Sequence, residues 1–139
     1  FCCDLKHAAV FRWDAANGEI RRFAAAGIRV PNFPVVDAAR GYLYVSDSQS
    51  VASGASIFRF ELGSGKGGPW CRAPMQFANG MAMAPDGGGL SVVESDAPQV
   101  SFVPIARDGS AGEKRLAVPD VGHAGSTACG SDPDRAVAC

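Results

Sequence analysis

An internal repeat constrains the fold of this chain more than any other feature of its sequence. Asn32–Ser48 aligns without a gap with Asn79–Ser95, so the two segments are offset by 47 residues throughout. The same offset aligns Val10–Asp14 with Ile57–Glu61. These segments read as short strands, and a repeat of short strands with a period in the forties is typical of the blades of a β-propeller.

The length of the chain predicts an incomplete propeller. Propellers generally close with four to eight blades, whereas 139 residues at this period supply about three. We therefore predict an all-β fold made of about three blades of four-stranded antiparallel sheet, within one partial propeller domain over residues 1–139. The blade repeats are expected near 8–54, 55–101 and 102–139, as part of a larger protein.

Strand and turn signals alternate along the chain at the spacing of an all-β fold. Asn17-Gly18 is a favoured hairpin turn, and no segment has the period of an amphipathic helix. The predicted strands cover 9–14, 19–23, 34–36, 42–46, 56–62, 70–72, 81–83, 90–94 and 100–105.

The charge balance excludes two classes of partner. The formal net charge is −1, with 13 basic and 14 acidic residues spread along the chain. This distribution provides no basic surface for nucleic acid or for an anionic membrane, and no apolar run reaches the length of a membrane span. We make no prediction of a protein partner. The sequence does not define the cellular location, although the cytoplasm is slightly favoured.

Two apparent catalytic motifs are better explained by structure. Gly63–Gly68 matches the spacing of a dinucleotide-binding loop, but the prolines of Pro69–Pro74 prevent the helix that such a loop must open. We therefore predict a hairpin turn. His7 and His123 are both candidate bases, but the sequence places neither near a serine, so solvated or structural histidines are expected.

The cysteines follow no functional spacing. They form neither a paired zinc pattern nor an even set for a disulfide framework. We expect small residues of the core or of sheet edges rather than redox centres. The chain contains Cys2, Cys3, Cys71, Cys129 and Cys139.

Three polar residues recur in the loops that precede predicted innermost strands. Asn32 and Asp120 both follow Val-Pro, and Asn79 follows Phe-Ala. In a propeller such loops converge on the central channel, where amide and carboxylate oxygens suit a hard cation such as calcium. Calcium takes six to eight oxygen ligands, so three side chains fill only part of its shell. Asn and Asp are also ordinary turn formers, which is the alternative interpretation of each position.

An ordered series of motifs resembles a known family, that of gluconolactonase, senescence marker protein and luciferin-regenerating enzyme. The series covers most of residues 8–120. The motifs are Val30–Asp37 with Gly41–Asp47, Phe77–Gly87 with Leu90–Ser95, Asp108–Gly112, and Val118–Asp120.

The resemblance implies a six-bladed propeller with a divalent metal in its channel and hydrolysis of a lactone or a related ester. The metal is usually calcium, with zinc, magnesium or manganese as alternatives. Asn79 matches an asparagine ligand of the family. Asp120 matches an aspartate ligand that is also the proposed base or nucleophile. Asn32 matches an asparagine that faces the metal or the substrate.

The chain departs from the family pattern at three places. A glutamate ligand of the family has no counterpart and is expected upstream of Phe1. Phe33 stands where many relatives carry Asp, which implies that Asn32 and Phe33 contact a more apolar substrate. The segment 121–128 is too polar for the family's next inner strand, which is consistent with a deletion or a sequence error.

Other functions stay open on the sequence alone. A propeller can bind a small ligand or a protein without catalysis, because a fold does not fix a function. An inactive truncated product is a further alternative, as is an enzyme that resembles strictosidine synthase, which shares the six-bladed form without the same metal cluster.

Overall fold

A computed structural model describes residues 1–121 of this chain, and these residues form three antiparallel sheets. The predictions for His123, Cys129, Cys139 and the polar segment beyond residue 121 lie outside the described residues. The all-β prediction is confirmed within the described part.

The first sheet has three strands in the order β1-β2-β3, and the second has four in the order β4-β5-β6-β7. One helical turn, α1 (Ser50–Ser53), follows β5 and is too short to have shown a period in the sequence. The strands are β1 (Cys2–Asp4), β2 (Ala9–Trp13), β3 (Ile20–Ala24), β4 (Pro31–Asp37), β5 (Tyr42–Asp47), β6 (Ile57–Glu61) and β7 (Gly67–Cys71).

The third sheet has four strands in the order β8-β9-β10-β11. Its last strand was not predicted, because all four of its residues are exposed and carry no buried periodicity. The strands are β8 (Ala78–Met83), β9 (Gly89–Glu94), β10 (Gln99–Pro104) and β11 (Arg115–Val118). Two of the three sheets therefore have the four strands expected of a blade.

The repeat and the sheets differ in phase. Residues 8–54 contain β2 and β3 of the first sheet and β4 and β5 of the second. Residues 55–101 contain β6 and β7 of the second sheet, β8 and β9 of the third, and the start of β10. The alignment of Val10–Asp14 with Ile57–Glu61 equates β2 with β6. The first sheet therefore corresponds to the second, third and fourth strands of its neighbour.

The second sheet is buried on both faces, which explains its apolar sequence. Leu43, Val45 and Phe58 pack between the first and second sheets. Tyr44 and Ile57, whose side chains point the other way, pack between the second and third sheets. All five side chains are fully buried. Alternation of side chains along a strand thus lets one sheet contribute to two separate cores.

Two aromatic residues pack together in the core between the second and third sheets. Tyr44 is fully buried, and Trp70 packs against the same cluster with a ring-centroid separation of 4.8 Å from Tyr44 in an edge-to-face geometry. Both side chains therefore belong to the core between the second and third sheets. Among the described residues no helix is long and apolar enough to cross a membrane.

Candidate functional site

Asn32 and Asn79 occupy equivalent irregularities in the innermost strands. The pairing of β4 with β5 shifts register between Pro31 and Pro34. The pairing of β8 with β9 shifts at the equivalent place, between Ala78 and Met81. Bulges of this kind redirect side chains and commonly occur beside functional sites. These bulges also explain why β4 and β8 each begin three residues before the start that the sequence predicts.

Each asparagine donates its amide nitrogen to a serine sixteen positions later. The distance from Asn32 Nδ2 to Ser48 Oγ is 3.0 Å, and that from Asn79 Nδ2 to Ser95 Oγ is also 3.0 Å. The two serines align in the 47-residue repeat. The repeat therefore preserves the hydrogen bond as well as the residue types.

Two serine hydroxyls connect the second sheet to the third at this place. Ser48 Oγ, which accepts from Asn32, donates to the backbone oxygen of Ala78 at 2.9 Å. Ser46 Oγ accepts from the backbone nitrogen of Phe33 at 3.0 Å and donates to the backbone oxygen of Asn79 at 2.8 Å. Both hydroxyls thus have a donor and an acceptor. The structure brings Asn32 and Asn79 together through these two bridges.

A buried carboxylate fixes the loop in front of each innermost strand. Asp47 is fully buried and accepts from the backbone nitrogens of Arg29, Val30 and Gln49 at 2.7, 3.2 and 2.8 Å. Each donor in the backbone would otherwise lack a partner, so the carboxylate holds the loop in one conformation.

Glu94 performs the same role one repeat later. Its Oε2 accepts from the backbone nitrogen of Gln76 at 2.8 Å, and its Oε1 accepts from Lys114 Nζ at 3.1 Å and from Ser101 Oγ. Burial raises the pKa of Glu94, but the hydrogen bonds from Ser101, Gln76 and Lys114 outweigh it and lower the pKa below its ordinary value. Glu94 is therefore held as a buried anion.

These supporting residues were missed in the prediction of the site. The signal was nevertheless present, because Asp47-Ser48 aligns with Glu94-Ser95 at the same offset that relates the asparagines. The paired acidic and hydroxyl residues predict a supporting shell wherever the repeated asparagines occur.

The amide oxygens of Asn32 and Asn79 are the groups left for a ligand. Both side chains are half-buried, and within residues 1–121 the hydrogen bonds of the two side chains involve only their nitrogens. The orientation of each amide follows from this hydrogen-bond network. An amide oxygen is a hard donor that suits calcium or magnesium.

The described residues fit a metal site only in part. Two neutral oxygens fill at most about a third of a calcium shell. Within residues 1–121 no group of three His, Cys, Asp or Glu side chains could hold a metal. Further oxygens, including at least one carboxylate, are needed to complete a site at Asn32 and Asn79.

Phe33 and Asp120 are placed differently from the asparagines. Phe33 is half-buried and packs against the core between the second and third sheets. Asp120 is exposed and follows β11. Strand β11 lies three strand spacings from β8, which is about 14 Å at the usual spacing. The next residue, Val121, donates its backbone nitrogen to Pro98 at 2.7 Å. Asp120 therefore lies at the same end of the sheet as Asn79, but on its outer side.

Other candidate groups have structural explanations. Residues 63–66 lie in the turn between β6 and β7, and Gly67 and Gly68 begin β7, so the predicted hairpin turn is confirmed. His7 Nδ1 lies 2.9 Å from Asp4 Oδ2, and this hydrogen bond lowers the pKa of Asp4. His7 is thus exposed and paired with a neighbouring carboxylate.

The three described cysteines are free, and burial distinguishes them. Cys2 is exposed, Cys3 is half-buried, and Cys71 is buried. Burial, with a smaller contribution from Cys2, raises the pKa of Cys3 to about 12. Burial also raises the pKa of Cys71. Raised pKa values disfavour the reactive thiolate, in agreement with a packing role for these two residues.

A surface cleft of about 580 Å³ lies at the opposite end of the innermost strands. Asp37 at the end of β4 and Arg40 in the following turn line one side of it. Met83 at the end of β8 and Asp86 in the following turn line the other. Arg40 Nη1 is paired with Asp37 Oδ2 at 2.9 Å. The cleft is therefore separate from the asparagines, and within it the carboxylate of Asp37 balances the charge of Arg40.

Comparison with known proteins identifies the fold. No family model matches the chain, and no curated protein matches it. A chain in a solved structure described as "Crystal structure of Nidogen/Laminin Complex" superimposes with a TM-score of 0.64 at 15% sequence identity. That chain is a β-propeller protein. The present chain has a β-propeller-like fold.

The similarity covers most of this chain but less than half of the solved chain. It covers 82% of this chain and 41% of the solved chain. The present chain therefore spans about two-fifths of the propeller chain it matches. At 15% identity the comparison concerns the arrangement of the sheets and carries no information about activity.

Proposed function

We propose that this chain is part of a six-bladed β-propeller hydrolase of the gluconolactonase-like type, which acts on a lactone or a related ester with a divalent cation, calcium first among them. The observation that carries the proposal is the repeated presentation of two amide oxygens, from Asn32 and Asn79, at equivalent bulges of neighbouring innermost strands. Zinc, magnesium and manganese are alternative cations.

The chain's own residues would prepare the site before a ligand arrives. The serine hydroxyls hold each amide nitrogen, so each oxygen keeps one orientation. The carboxylates of Asp47 and Glu94 fix the loops that precede the asparagines. Such a supporting shell reduces the reorganisation needed on binding. A bound cation would supply a Lewis acid for the carbonyl of the substrate.

Asp120 is proposed as the general base or nucleophile on the strength of the family resemblance. Its exposed carboxylate lies at the same end of the third sheet as Asn79. A base must reach the proton that it abstracts within hydrogen-bond distance or through one water molecule. The proposal therefore requires a substrate, or a further part of the propeller, that brings the reacting atoms toward Asp120.

Phe33 is proposed to favour an apolar substrate. Its ring is half-buried against the core, and its backbone nitrogen is bound by Ser46 next to Asn79. The ring therefore contributes shape and apolar surface rather than a chemical group. A change at Phe33 is expected to alter the choice of substrate more than the rate of the chemical step.

A non-catalytic binding propeller is the second candidate. Two observations favour it: both asparagines already have a structural use through their serines, and the described residues provide no carboxylate cluster. The similar solved chain comes from a structure of a complex between two proteins. A binding propeller would use the same end of the strands for a ligand without turnover.

Turnover of lactones separates the two candidates. The chain is tested against a panel of aliphatic and sugar lactones with calcium and with a chelator, alongside Asn79→Ala, Asp120→Asn and the matched control Asn17→Ala. Asn17 lies in an exposed hairpin turn, where its side chain accepts from the backbone nitrogen of Glu19 at 2.9 Å. The proposal predicts calcium-dependent turnover that Asn79→Ala and Asp120→Asn abolish and Asn17→Ala retains. Turnover that is unaffected by the chelator and by both site variants would refute it.

A further inference from the structure

The two repeated asparagines differ in the residue that follows them. Gly80 follows Asn79, whereas Phe33 follows Asn32 at the equivalent position. The peptide nitrogen after an asparagine can attack the side-chain amide carbon and close a succinimide ring, which makes asparagine one of the chemically labile residues. Glycine permits this attack best, because it has no Cβ and has the widest range of backbone angles. The reaction is therefore open at Asn79 and hindered at Asn32.

A serine hydroxyl restrains the peptide nitrogen after one asparagine but not after the other. The backbone nitrogen of Phe33 donates to Ser46 Oγ at 3.0 Å. Ser46 aligns with Val93 in the 47-residue repeat, and a valine side chain cannot accept a hydrogen bond. The side-chain acceptor that engages the nitrogen of Phe33 therefore has no equivalent for the nitrogen of Gly80.

The bulge also places Gly80 outside the regular pairing of the third sheet. The pairing of β8 with β9 shifts register between Ala78 and Met81, and β8 is the end strand of that sheet. Within the described part of the chain, Gly80 thus has no residue paired with it in a neighbouring strand. A Cβ at Gly80 would meet nothing within 4 Å. The peptide group therefore has space for the small movement that ring closure requires.

Two hydrogen bonds favour this reaction at Asn79. Ser46 Oγ donates to the backbone oxygen of Asn79 at 2.8 Å. Because this bond draws electron density toward the oxygen, it polarises the peptide group and makes the N–H of Gly80 a better acid. Asn79 Nδ2 donates to Ser95 Oγ at 3.0 Å. One serine thus activates the attacking nitrogen, and the other contacts the nitrogen that must leave.

We propose that Asn79 is a site of spontaneous deamidation. The backbone nitrogen of Gly80 attacks Asn79 Cγ and forms a new C–N bond, while the bond from Cγ to Nδ2 breaks. The proton lost by the nitrogen of Gly80 leaves with Nδ2 as ammonia. Water then opens the succinimide at either of its carbonyl groups, which gives aspartate or isoaspartate in place of Asn79. No oxidation or reduction takes place.

The aspartate product would change the candidate cation site. A carboxylate replaces a neutral amide oxygen, and a carboxylate is the kind of calcium ligand that the two asparagines lack. The isoaspartate product also has a carboxylate, but it lengthens the backbone by a methylene group at the bulge. The effect on a cation rests on the proposed function, whereas the modification itself does not.

Peptide mapping by tandem mass spectrometry compares Asn79 with a second Asn-Gly pair in the same chain. The backbone nitrogen of Gly18 donates to the backbone oxygen of Asp14 at 2.8 Å. Asn17 Oδ1 accepts from the backbone nitrogen of Glu19 at 2.9 Å. Both reacting groups of that pair are therefore engaged. After incubation of the folded chain at mildly alkaline pH, we expect Asn79 to deamidate several-fold faster than Asn17.

Unfolding and the equivalent asparagine provide two internal controls. In guanidinium chloride the two Asn-Gly pairs are expected to react at similar rates, because the folded surroundings that distinguish them are lost. Asn32 is expected to stay intact in the folded chain. A folded chain in which Asn79 reacts no faster than Asn17, or in which Asn32 reacts as fast as Asn79, would overturn the inference.

Two substitutions test the local causes of the reaction. Gly80→Ala adds a Cβ in open space, and Val93→Ser adds a hydroxyl at the position that Ser46 occupies in the repeat. Each is expected to slow deamidation at Asn79 several-fold. Gly63→Ala is the control, since its Cβ also enters open space, and it is expected to leave the rate unchanged. Far-ultraviolet circular dichroism checks that each variant is folded, and an unchanged rate in folded Gly80→Ala would also overturn the inference.

Calcium titration of the fresh and the deamidated chain separates the modification from the proposed function. The aspartate form is expected to bind calcium more tightly than the fresh chain. Deamidation without any change in calcium binding would refute the cation site and leave the modification intact. Calcium binding by a chain whose Asn79 stays unmodified under the same incubation would overturn the modification and leave the cation site intact.

Discussion

Replacement of Glu94 by Gln tests whether a buried anion maintains the loop in front of Asn79. The carboxylate is 1% exposed and accepts hydrogen bonds from Gln76, Ser101 and Lys114. Glutamine keeps the size of the side chain and one acceptor oxygen, but its NH2 group faces donors that previously met a carboxylate oxygen. Ser101 can rotate its hydroxyl to accept, whereas Lys114 cannot.

The expected loss follows from the number of charge-assisted hydrogen bonds that disappear. Each contributes about 1.5–3 kcal/mol, and Lys114 retains a second partner in the backbone oxygen of Pro74 at 2.8 Å. We therefore expect Glu94→Gln to lower the free energy of unfolding by about 2–4 kcal/mol. Glu61→Gln is the matched control, since Glu61 is an exposed strand residue bonded to Ser64, and it should change the free energy by less than about 0.5 kcal/mol.

Urea denaturation followed by circular dichroism measures both variants, and pH adds a second test. Hydrogen bonding lowers the pKa of folded Glu94 in spite of burial, so its stabilisation is fully present above the unfolded pKa of about 4.3 and is lost as pH falls through the lower folded pKa. The difference between wild type and Glu94→Gln should therefore shrink in acid. A difference below about 0.5 kcal/mol at neutral pH, or one that grows on acidification, would refute the reasoning.

Two further predictions concern packing and thiol chemistry. Gly67→Ala should destabilise the chain by more than about 1 kcal/mol in the same urea assay, because a Cβ there would overlap the backbone of Arg59 and Phe60. Gly63→Ala is the control and should be nearly neutral, because a Cβ at Gly63 enters open space. Equal effects of the two substitutions would contradict this packing. Iodoacetamide labelling near pH 8, mapped by tandem mass spectrometry, should modify exposed Cys2 before Cys3 and Cys71, because burial raises the pKa values of those two thiols. If Cys71 were instead the first cysteine to be labelled, the core between the second and third sheets would have to open readily.

Much of the fold could be predicted because the repeat combines with simple alternation. The strands at Ala9–Trp13 and Tyr42–Asp47 lie within a residue of their predicted positions. β4 begins at Pro31 rather than at residue 34, because a bulge interrupts the alternation that marks a strand. β11 was missed, since an exposed outer strand has no buried side to produce a pattern.

The candidate site could be predicted only in part, because its supporting residues lie far apart in the sequence. The repeat alone indicates that Asn32 and Asn79 are equivalent, and the structure connects them through Ser46 and Ser48. Hydrogen bonds across 30 or more positions leave no local pattern in a sequence. The position of Asp120 depends on where β11 ends, and that strand was not predicted.

Calcium titration by calorimetry is the most direct test of the claim that Asn32 and Asn79 present their oxygens to a cation. The wild-type chain is compared with Asn79→Asp and with Asn17→Asp, which places the same charge in an exposed turn. Because the described residues supply only two neutral oxygens at this place, the account predicts weak calcium binding by the wild-type chain. Asn79→Asp is predicted to strengthen this binding by about tenfold, because a carboxylate is a better ligand for calcium than an amide, and Asn17→Asp is predicted to leave it unchanged. No heat of binding for any of the three proteins, or equal strengthening by both substitutions, would contradict it.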